Sequence, residues 1–336
     1  MKSPDEWNLY FLDRGISEEL ATQYLVFITN LSKRNLPIIF EVEHLASLIG
    51  IKYLELNKLI YDANDFYREF SIPKRSGGNR KISTPYPSLL LCQRWINSSI
   101  LNAVKVHYCA HAYKSKHSII TNAKKHIKNK VLLKMDMENF FPSIPINWVV
   151  NFFSQLGYPN NVAFALGSLC CLNDQLPQGA ATSPALSNIL LLKFDQRIYR
   201  LSKKYSLNYT RYADDLAFSG EYIPHKFIKI VEDITSDYGL KVNQKKTRLI
   251  VGDKKKVLTG LSVKDQELKL PRSSVREIKK ELYYIRKYGL ISHVSKLKIK
   301  NPHYIHSIEG RVRFWLQIEP DNEFARSSLN YILQMK

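Results

Sequence analysis

Asn208-Tyr209-Thr210-Arg211-Tyr212-Ala213-Asp214-Asp215-Leu216-Ala217-Phe218-Ser219 is the stretch whose reading decides the fold. Two carboxylates stand side by side between runs rich in aromatic and β-favouring residues, which predicts a short hairpin with the acids at or beside its turn. In a straight strand, adjacent side chains point to opposite faces. Near a turn both carboxylates can approach one volume, where their repulsion calls for a cation, and a divalent metal is the obvious candidate. Taken alone, Ala-Asp-Asp reads first as an ordinary polar turn, because Asp favours turns. The decision therefore rests on the company these residues keep.

Charge narrows the partner. The 336 residues carry 50 Lys+Arg against 30 Asp+Glu, a net charge of +20. Such a surplus points to a polyanion, with nucleic acid foremost because basic grooves release its condensed counterions. An anionic membrane is the rival. With no run of about 18 apolar residues and no signal peptide, the expectation is a soluble, cytoplasmic chain with no membrane partner. Cys92 and Cys109 are isolated and Cys170-Cys171 adjacent, which gives neither a disulfide framework nor a paired zinc signature. His107, Cys109 and His111 could share a strand face by alternation, although packing or solvent contact explains them more cheaply than a metal.

Residues 1–65 read as helical. Ser17 can cap a helix whose apolar positions Leu20, Tyr24, Phe27 and Leu31 recur at three- and four-residue intervals, and Asn35-Leu36-Pro37 ends it. From His44 to Ile60 the pattern is that of a helix-turn-helix with Gly50 at the turn, read here as a packed pair rather than a DNA reader. Phe70 to Ile82 brackets Gly77-Gly78 with strand-like residues. This predicts a hairpin carrying Lys74, Arg75, Arg80 and Lys81 near its tip, placed either to reach a triphosphate or simply to be solvated.

Val131 to Asp136 is an apolar strand ending in an acid, and such a strand gives little reason for an acid unless it binds something. Phe141, five residues on, could form a wall. Residues 145–200 turn helical, interrupted by Gln175 to Pro184. There Gly179, Ala180 and Ala181 are small enough for a base pair to lie against the backbone, and Ser183-Pro184 can open the next helix. Phe227, Val231, Ile234 and Tyr238 form a helical stripe ending at Gly239, followed by a strand and then Asn243 to Thr247. Between 254 and 300 there are 14 Lys+Arg and 4 Asp+Glu, while Val275, Ile278, Leu282 and Ile285 make an apolar stripe on one helix.

Strand with acid, helices, hairpin with two acids, helix, strand: this order resembles the palm of a template-directed polymerase, and its detail resembles the reverse transcriptases. Tyr212-Ala213-Asp214-Asp215 is similar to their catalytic box and Asp136 to Phe141 to their first acidic motif. Gln178-Gly179 to Ser183-Pro184 is similar to their template-and-nucleotide loop. Lys74 to Arg80, Gly239 to Thr247 and Leu258-Thr259-Gly260 fall where their finger, fourth and grip motifs lie. The resemblance runs from about residue 66 to 263. Within the family the chain looks most like a bacterial retron enzyme, since Asn122-Ala123-Lys124-Lys125-His126 matches an Asn-Ala-x-x-His element. Leu258-Thr259-Gly260 stands where those enzymes carry Val-Thr-Gly.

The resemblance implies an α+β right-hand polymerase. Residues 1–65 would join the fingers, 66–130 form them, 131–270 form a palm with part of 143–180 returning to the fingers, and 271–336 form a basic helical thumb. It implies two Mg²⁺ ions, replaceable by Mn²⁺, held by Asp136, Asp214 and Asp215, with Asp136 and Asp214 bridging both. Lys74 and Arg80 would grip the triphosphate, Gln178 position the incoming nucleotide and Phe141 crowd a ribose 2′-OH. Lys246 would protonate pyrophosphate or contact a phosphate. Asn122, His126, Lys279, Lys280, Arg286 and Lys287 would bind RNA, alongside Tyr283, Tyr284 and Tyr288. The implied partners are deoxynucleoside triphosphates, one structured noncoding RNA and its branched RNA-linked DNA product (msDNA). An effector protein and a host ribonuclease H acting in trans would join them, since no nuclease domain fits after the grip. Anti-phage defence is the implied role. An abortive-infection or group II intron-derived enzyme, or a non-catalytic RNA-binding scaffold, stays open as an alternative.

Overall fold

Alternating apolar residues and turn chemistry place nine strands among the described residues of the computed structural model, which are 4–74, 77–252, 254–263 and 266–335. They are β1 (Tyr67–Pro73), β2 (Asn79–Pro85), β3 (Val131–Asp136), β4 (Asn208–Tyr212), β5 (Asp215–Gly220), β6 (Arg248–Val251), β7 (Lys256–Leu258), β8 (Leu261–Val263) and β9 (Leu268–Lys269). All pairings are antiparallel, in three sheets ordered β1-β2, β4-β5-β3-β6 and β7-β8-β9. Helices pack beside these sheets and link no parallel strands among the described residues, so the class is α+β, as expected. The chain divides into two compact units, one of Met1–Tyr113, Met137–Ile198 and Val231–Val242, the other of Lys114–Asp136, Tyr199–Ile230 and Asn243–Lys336.

The first unit is helical apart from one hairpin. Ser17 accepts the Leu20 amide and caps the helix Glu18–Ser32. Phe11, Ala21 and Ile28 make a small core there with Trp7, Tyr24, Phe27 and Phe40 packed around it. Gly50, at φ 85°, ends the helix Val42–Ile49 in the left-handed conformation that glycine tolerates best. The next helix, Tyr53–Tyr61, buries Leu56, Leu59 and Ile60, so the pair is a packing unit. β1 and β2 pair from Tyr67↔Pro85 to Pro73↔Asn79, and the Lys74 amide donates to the Gly78 carbonyl at 2.8 Å. Lys74 and Arg80 are exposed beside this tip; Arg75 lies outside the described residues.

The second unit holds the four-stranded sheet. Period-two alternation puts Leu132, Lys134 and Asp136 of β3 on one face, with their β5 partners Ser219, Ala217 and Asp215. Leu132 and Ala217 are buried with Ala123, Leu258, Leu261 and Val263, so the helix Ile119–Lys124 and the small sheet cover this face. On the opposite face Tyr209 stacks on Phe218 at 5.1 Å, and Phe218 meets Phe227 edge-on at 5.0 Å. A further core, including Ile278, Leu282, Ile285, Val312 and Trp315, joins the C-terminal helices Arg272–Tyr288, Tyr304–Ile318 and Glu323–Gln334.

One element differs from expectation. The strand expected directly after Gly239 is a single bridge, Val242 to Met137, and regular pairing begins only at β6. The Asn243 carbonyl accepts from the Lys246 amide, the Thr247 amide and the Thr247 hydroxyl, each at 3.1 Å. These bonds coil Asn243–Thr247 into a turn directly after that bridge, so the extended segment stays short.

Candidate active site and nucleic-acid face

Three carboxylates come from two adjacent strands of the second unit, β3 and β5, and from the turn that leads into β5. β4 and β5 close on Tyr212↔Asp215, which leaves Ala213-Asp214 as a two-residue turn. Ala213 sits at φ 57°, a conformation that costs a non-glycine residue roughly 1 kcal/mol or more. The fully buried Arg211 donates its guanidinium to the Ala213 carbonyl at 3.2 Å and so braces the turn. Asp136, only 8% exposed, is the direct cross-strand partner of Asp215. Opposed residues of an antiparallel pair share a face with Cβ atoms about 5 Å apart, and like charges there repel.

Burial and that repulsion act on Asp215 in the same direction. Burial, then the charges of Asp214 and Asp136, push the Asp215 carboxyl up to about 6, against the smaller opposing pull of Lys134 and Lys246. Both oxygens of Asp136 accept from the Lys246 ammonium, at 2.8 and 2.9 Å. The same bond holds the ammonium above its ordinary lysine range. The 243–247 turn aims this lysine, and the Asn243 amide donates to the Asp136 carbonyl at 2.7 Å. Lys134 lies on the acid face, its Nζ on the Val257 carbonyl at 3.1 Å. Among the described residues no three His, Cys, Asp or Glu side chains are already drawn together as a metal cage. The donor set nevertheless fits a hard divalent cation, being all carboxylate, mutually repelling and already holding one cation on Asp136. A metal that engages Asp136 meets the Lys246 ammonium there and competes with it for the carboxylate oxygens.

A family profile described as reverse transcriptase (RNA-dependent DNA polymerase) matches residues 72–300. The Retron Ec86 reverse transcriptase of Escherichia coli is 32% identical over 256 residues, covering 74% of this chain and 79% of that protein. The chain belongs to the retron-type reverse transcriptases. It is an RNA-directed DNA polymerase by family, and such enzymes use divalent metals. This reverse transcriptase is also 30% identical over 284 residues to the Retron Mx162 reverse transcriptase of Myxococcus xanthus, covering 73% of this chain and 59% of that protein. A telomerase structure from Candida albicans aligns over 80% of this chain and 63% of that chain, at 12% identity and a TM-score of 0.46.

The other expected residues fall in both units. In the first, Phe141 is half-buried on the turn after β3, its ring 6.3 Å from that of Tyr113, which is 51% exposed. Gln178 gives its carbonyl to the Ser83 amide at 2.9 Å. A Cβ on Gly179 would meet the Ser83 carbonyl oxygen at 2.6 Å, so β2 of the same unit takes space that the sequence offered to a base pair. The buried Gln93 holds this loop by accepting the Ala181 amide at 3.0 Å, and Asn97 donates to the Ala181 carbonyl at 2.8 Å. His107 and Cys109 lie in a turn instead of a strand, with the Cys109 amide donating to His107 Nδ1 at 3.3 Å.

Asn122 and His126 are corrected from RNA contacts to internal struts. Each is 1% exposed, which leaves no surface for a ligand. The two ring nitrogens of His126 lie 2.7 Å from the Ser219 and Thr210 hydroxyls, tying together the two strands that carry the acid turn. Asn122 donates to the Thr259 hydroxyl at 3.4 Å, so the Asn-Ala-x-x-His element touches the Leu-Thr-Gly element. On the helix Arg272–Tyr288, Lys279 lies over the Phe324 ring at 4.6 Å. Arg286 lies over Tyr331 at 5.1 Å and donates to Ser328. Lys280 and Lys287 are exposed, and Tyr283 (55%), Tyr284 (38%) and Tyr288 (52%) face solvent rather than the core.

Arg211 and Lys134, beside the acid turn, and Gln93 and Tyr113, beside the Gln178 loop and Phe141, are residues that sequence reasoning did not single out. A charged residue inside a strand pattern, Arg211 or Lys134, was the available signal. Gln93 and Tyr113 gave none.

Proposed function

We propose that this reverse transcriptase copies one dedicated structured RNA into a single-stranded DNA joined to that RNA through a 2′-OH branch (msDNA). The observation that carries the catalytic part is the opposition of Asp136 and Asp215 across β3 and β5, with Asp214 in the adjoining turn and a lysine already on Asp136. Asp136, Asp214 and Asp215 hold the metal, for which Mg²⁺ is the expected ion and Mn²⁺ a substitute, given an all-oxygen donor set. When bound, two such ions supply Lewis acidity to the attacking hydroxyl and neutralise charge on the leaving group. The sugar hydroxyl oxygen forms a bond to the α-phosphorus, its proton passes to solvent, and the bond to the bridging oxygen of pyrophosphate breaks. Lys246, released from Asp136, contacts or protonates that pyrophosphate.

For the first unit the roles rest on the family resemblance: Lys74 and Arg80 grip the triphosphate, Gln178 positions the nucleotide and Phe141 excludes a 2′-OH by bulk. Phosphate contacts to RNA are assigned to Lys279, Lys280, Arg286 and Lys287, with Lys280 and Lys287 the freer pair. Priming from an RNA 2′-OH, an effector partner, ribonuclease H in trans, a cytoplasmic location and anti-phage defence belong to the same proposal. The test is to express the protein with its neighbouring noncoding locus, purify nucleic acid, and treat it with ribonuclease and then debranching enzyme. A short DNA whose mobility shifts on debranching is expected. An unbranched 5′ end in every molecule defeats the priming proposal and leaves the polymerase assignment untouched.

A further inference from the structure

Four aromatic rings of the C-terminal helices stand in a near-parallel row. Tyr288 and Tyr284 have centroids 6.2 Å apart at 16°, Tyr284 and His293 6.2 Å apart at 17°, and His293 and Tyr304 5.8 Å apart at 23°. The inner end is anchored. His293 is 6% exposed, and its Nε2 lies 3.1 Å from the Tyr304 hydroxyl. The outer end is open, with Tyr284 38% and Tyr288 52% exposed. Lys287 belongs to this end, its Nζ 5.3 Å from the Tyr288 ring, 5.6 Å from the Tyr283 ring and 3.3 Å from the Tyr283 hydroxyl. Helical spacing puts Arg276, Lys280, Tyr283, Tyr284 and Lys287 on one exposed face, opposite the buried Ile278, Leu282 and Ile285.

Isolated tyrosines on a surface mean little. A fixed row of parallel rings that is rooted in the core, open at one end and flanked by cations is different, because it offers a flat π-face with positive charge beside it. We infer that the Tyr288–Tyr284 end of this row is a stacking site for an unpaired nucleobase of an RNA strand, whose flanking phosphates lie along Arg276, Lys280 and Lys287. The charge favours a polyanion over an apolar protein partner, and stacking tolerates any base since every base has a π-face. A duplex has no free base face to give, so the site distinguishes unpaired from paired RNA. This rests on the RNA-binding reading of the helix and adds to it the ligand group and the residue it touches.

The test uses the full chain and a short unstructured RNA with one 2-aminopurine, titrated with wild type, Tyr288→Phe and Tyr288→Leu. Wild type and Tyr288→Phe should quench the fluorescence. Tyr288→Leu should lose the quench and bind roughly 5- to 100-fold more weakly, with an unchanged salt slope because no cation is removed. The same base placed in a duplex should not be quenched. Quenching by Tyr288→Leu equal to wild type, or equal quenching of the paired base, overturns the inference. Melting curves confirm that each variant is folded, as expected for a half-exposed ring. Primer extension by the wild type, run in parallel, separates the outcomes. Extension without the expected quenching pattern rejects the stacking site alone, whereas no extension rejects the polymerase reading.

Discussion

Replacing Asp215 by Asn should stabilise the metal-free protein while it disables the enzyme. The Asp215 carboxyl titrates at about 6 in the fold against 3.8 for the free side chain, raised first by burial and then by Asp214 and Asp136. At 1.36 kcal/mol per pH unit, ionising it in the folded chain costs roughly 3 kcal/mol more than in the unfolded chain. The sign follows from proton binding. Between pH 3.8 and 6 the folded state holds more protons, so this residue's contribution to stability falls as pH rises through that window and stays low above it. Asn carries no charge to penalise. In chelator at pH 8 the variant should therefore gain up to roughly 3 kcal/mol, a rise of several degrees in melting temperature, and the gain should shrink to about half at pH 5. Saturating divalent metal should narrow the difference further, because it binds and stabilises the wild type more. Differential scanning fluorimetry with EDTA or Mg²⁺ at the two pH values measures all of this. A variant that melts at or below wild type at pH 8 in EDTA would refute the account that burial and the neighbouring carboxylates penalise the Asp215 charge.

Phe141→Ala should raise ribonucleotide incorporation relative to deoxyribonucleotide by about tenfold or more, since a steric gate has no hydrogen bond to keep; an unmoved incorporation ratio removes Phe141 from that role. His126→Leu leaves the buried Thr210 and Ser219 hydroxyls without this partner and should cost roughly 3 kcal/mol in urea unfolding. RNA affinity of the folded His126→Leu protein should match wild type in filter binding, and a selective loss of affinity would restore its RNA role. Lys280→Ala with Lys287→Ala should weaken RNA binding and reduce the salt slope by about two, whereas Lys279→Ala with Arg286→Ala should also lower the melting temperature, because those two side chains pack on Phe324 and Tyr331.

Much of this was legible in the sequence because local chemistry and global fold agree there. The Asp-Asp hairpin announces itself through β-favouring flanks, Asp136 through an acid ending an apolar strand, and the Ser17 and Gly50 caps through side-chain and backbone preferences that need no tertiary information. What stayed hidden depends on distant partners. Asn122 and His126 were legible as a family element yet misread as RNA contacts. Only the fold shows that His126 reaches 93 residues along the chain to Ser219, and Asn122 137 residues to Thr259. Gly179 looked like room for a base pair, and the strand that fills the room lies far back in sequence. Likewise, which of four similar cations pack on the aromatics of another helix, Lys279 and Arg286 but not Lys280 and Lys287, is set by where the helix Glu323–Gln334 docks, which composition does not encode.

The most direct test of the central claim is extension of a labelled primer on an RNA template in Mg²⁺ by wild type and Asp214→Asn, each verified folded by its melting curve. Wild type should add deoxynucleotides, and the variant, which lacks one charge of the acid cluster but keeps the hairpin, should be slower by at least about 100-fold. Extension by a folded Asp214→Asn protein within a few-fold of wild type would contradict the assignment of Asp136, Asp214 and Asp215 as the metal-holding centre.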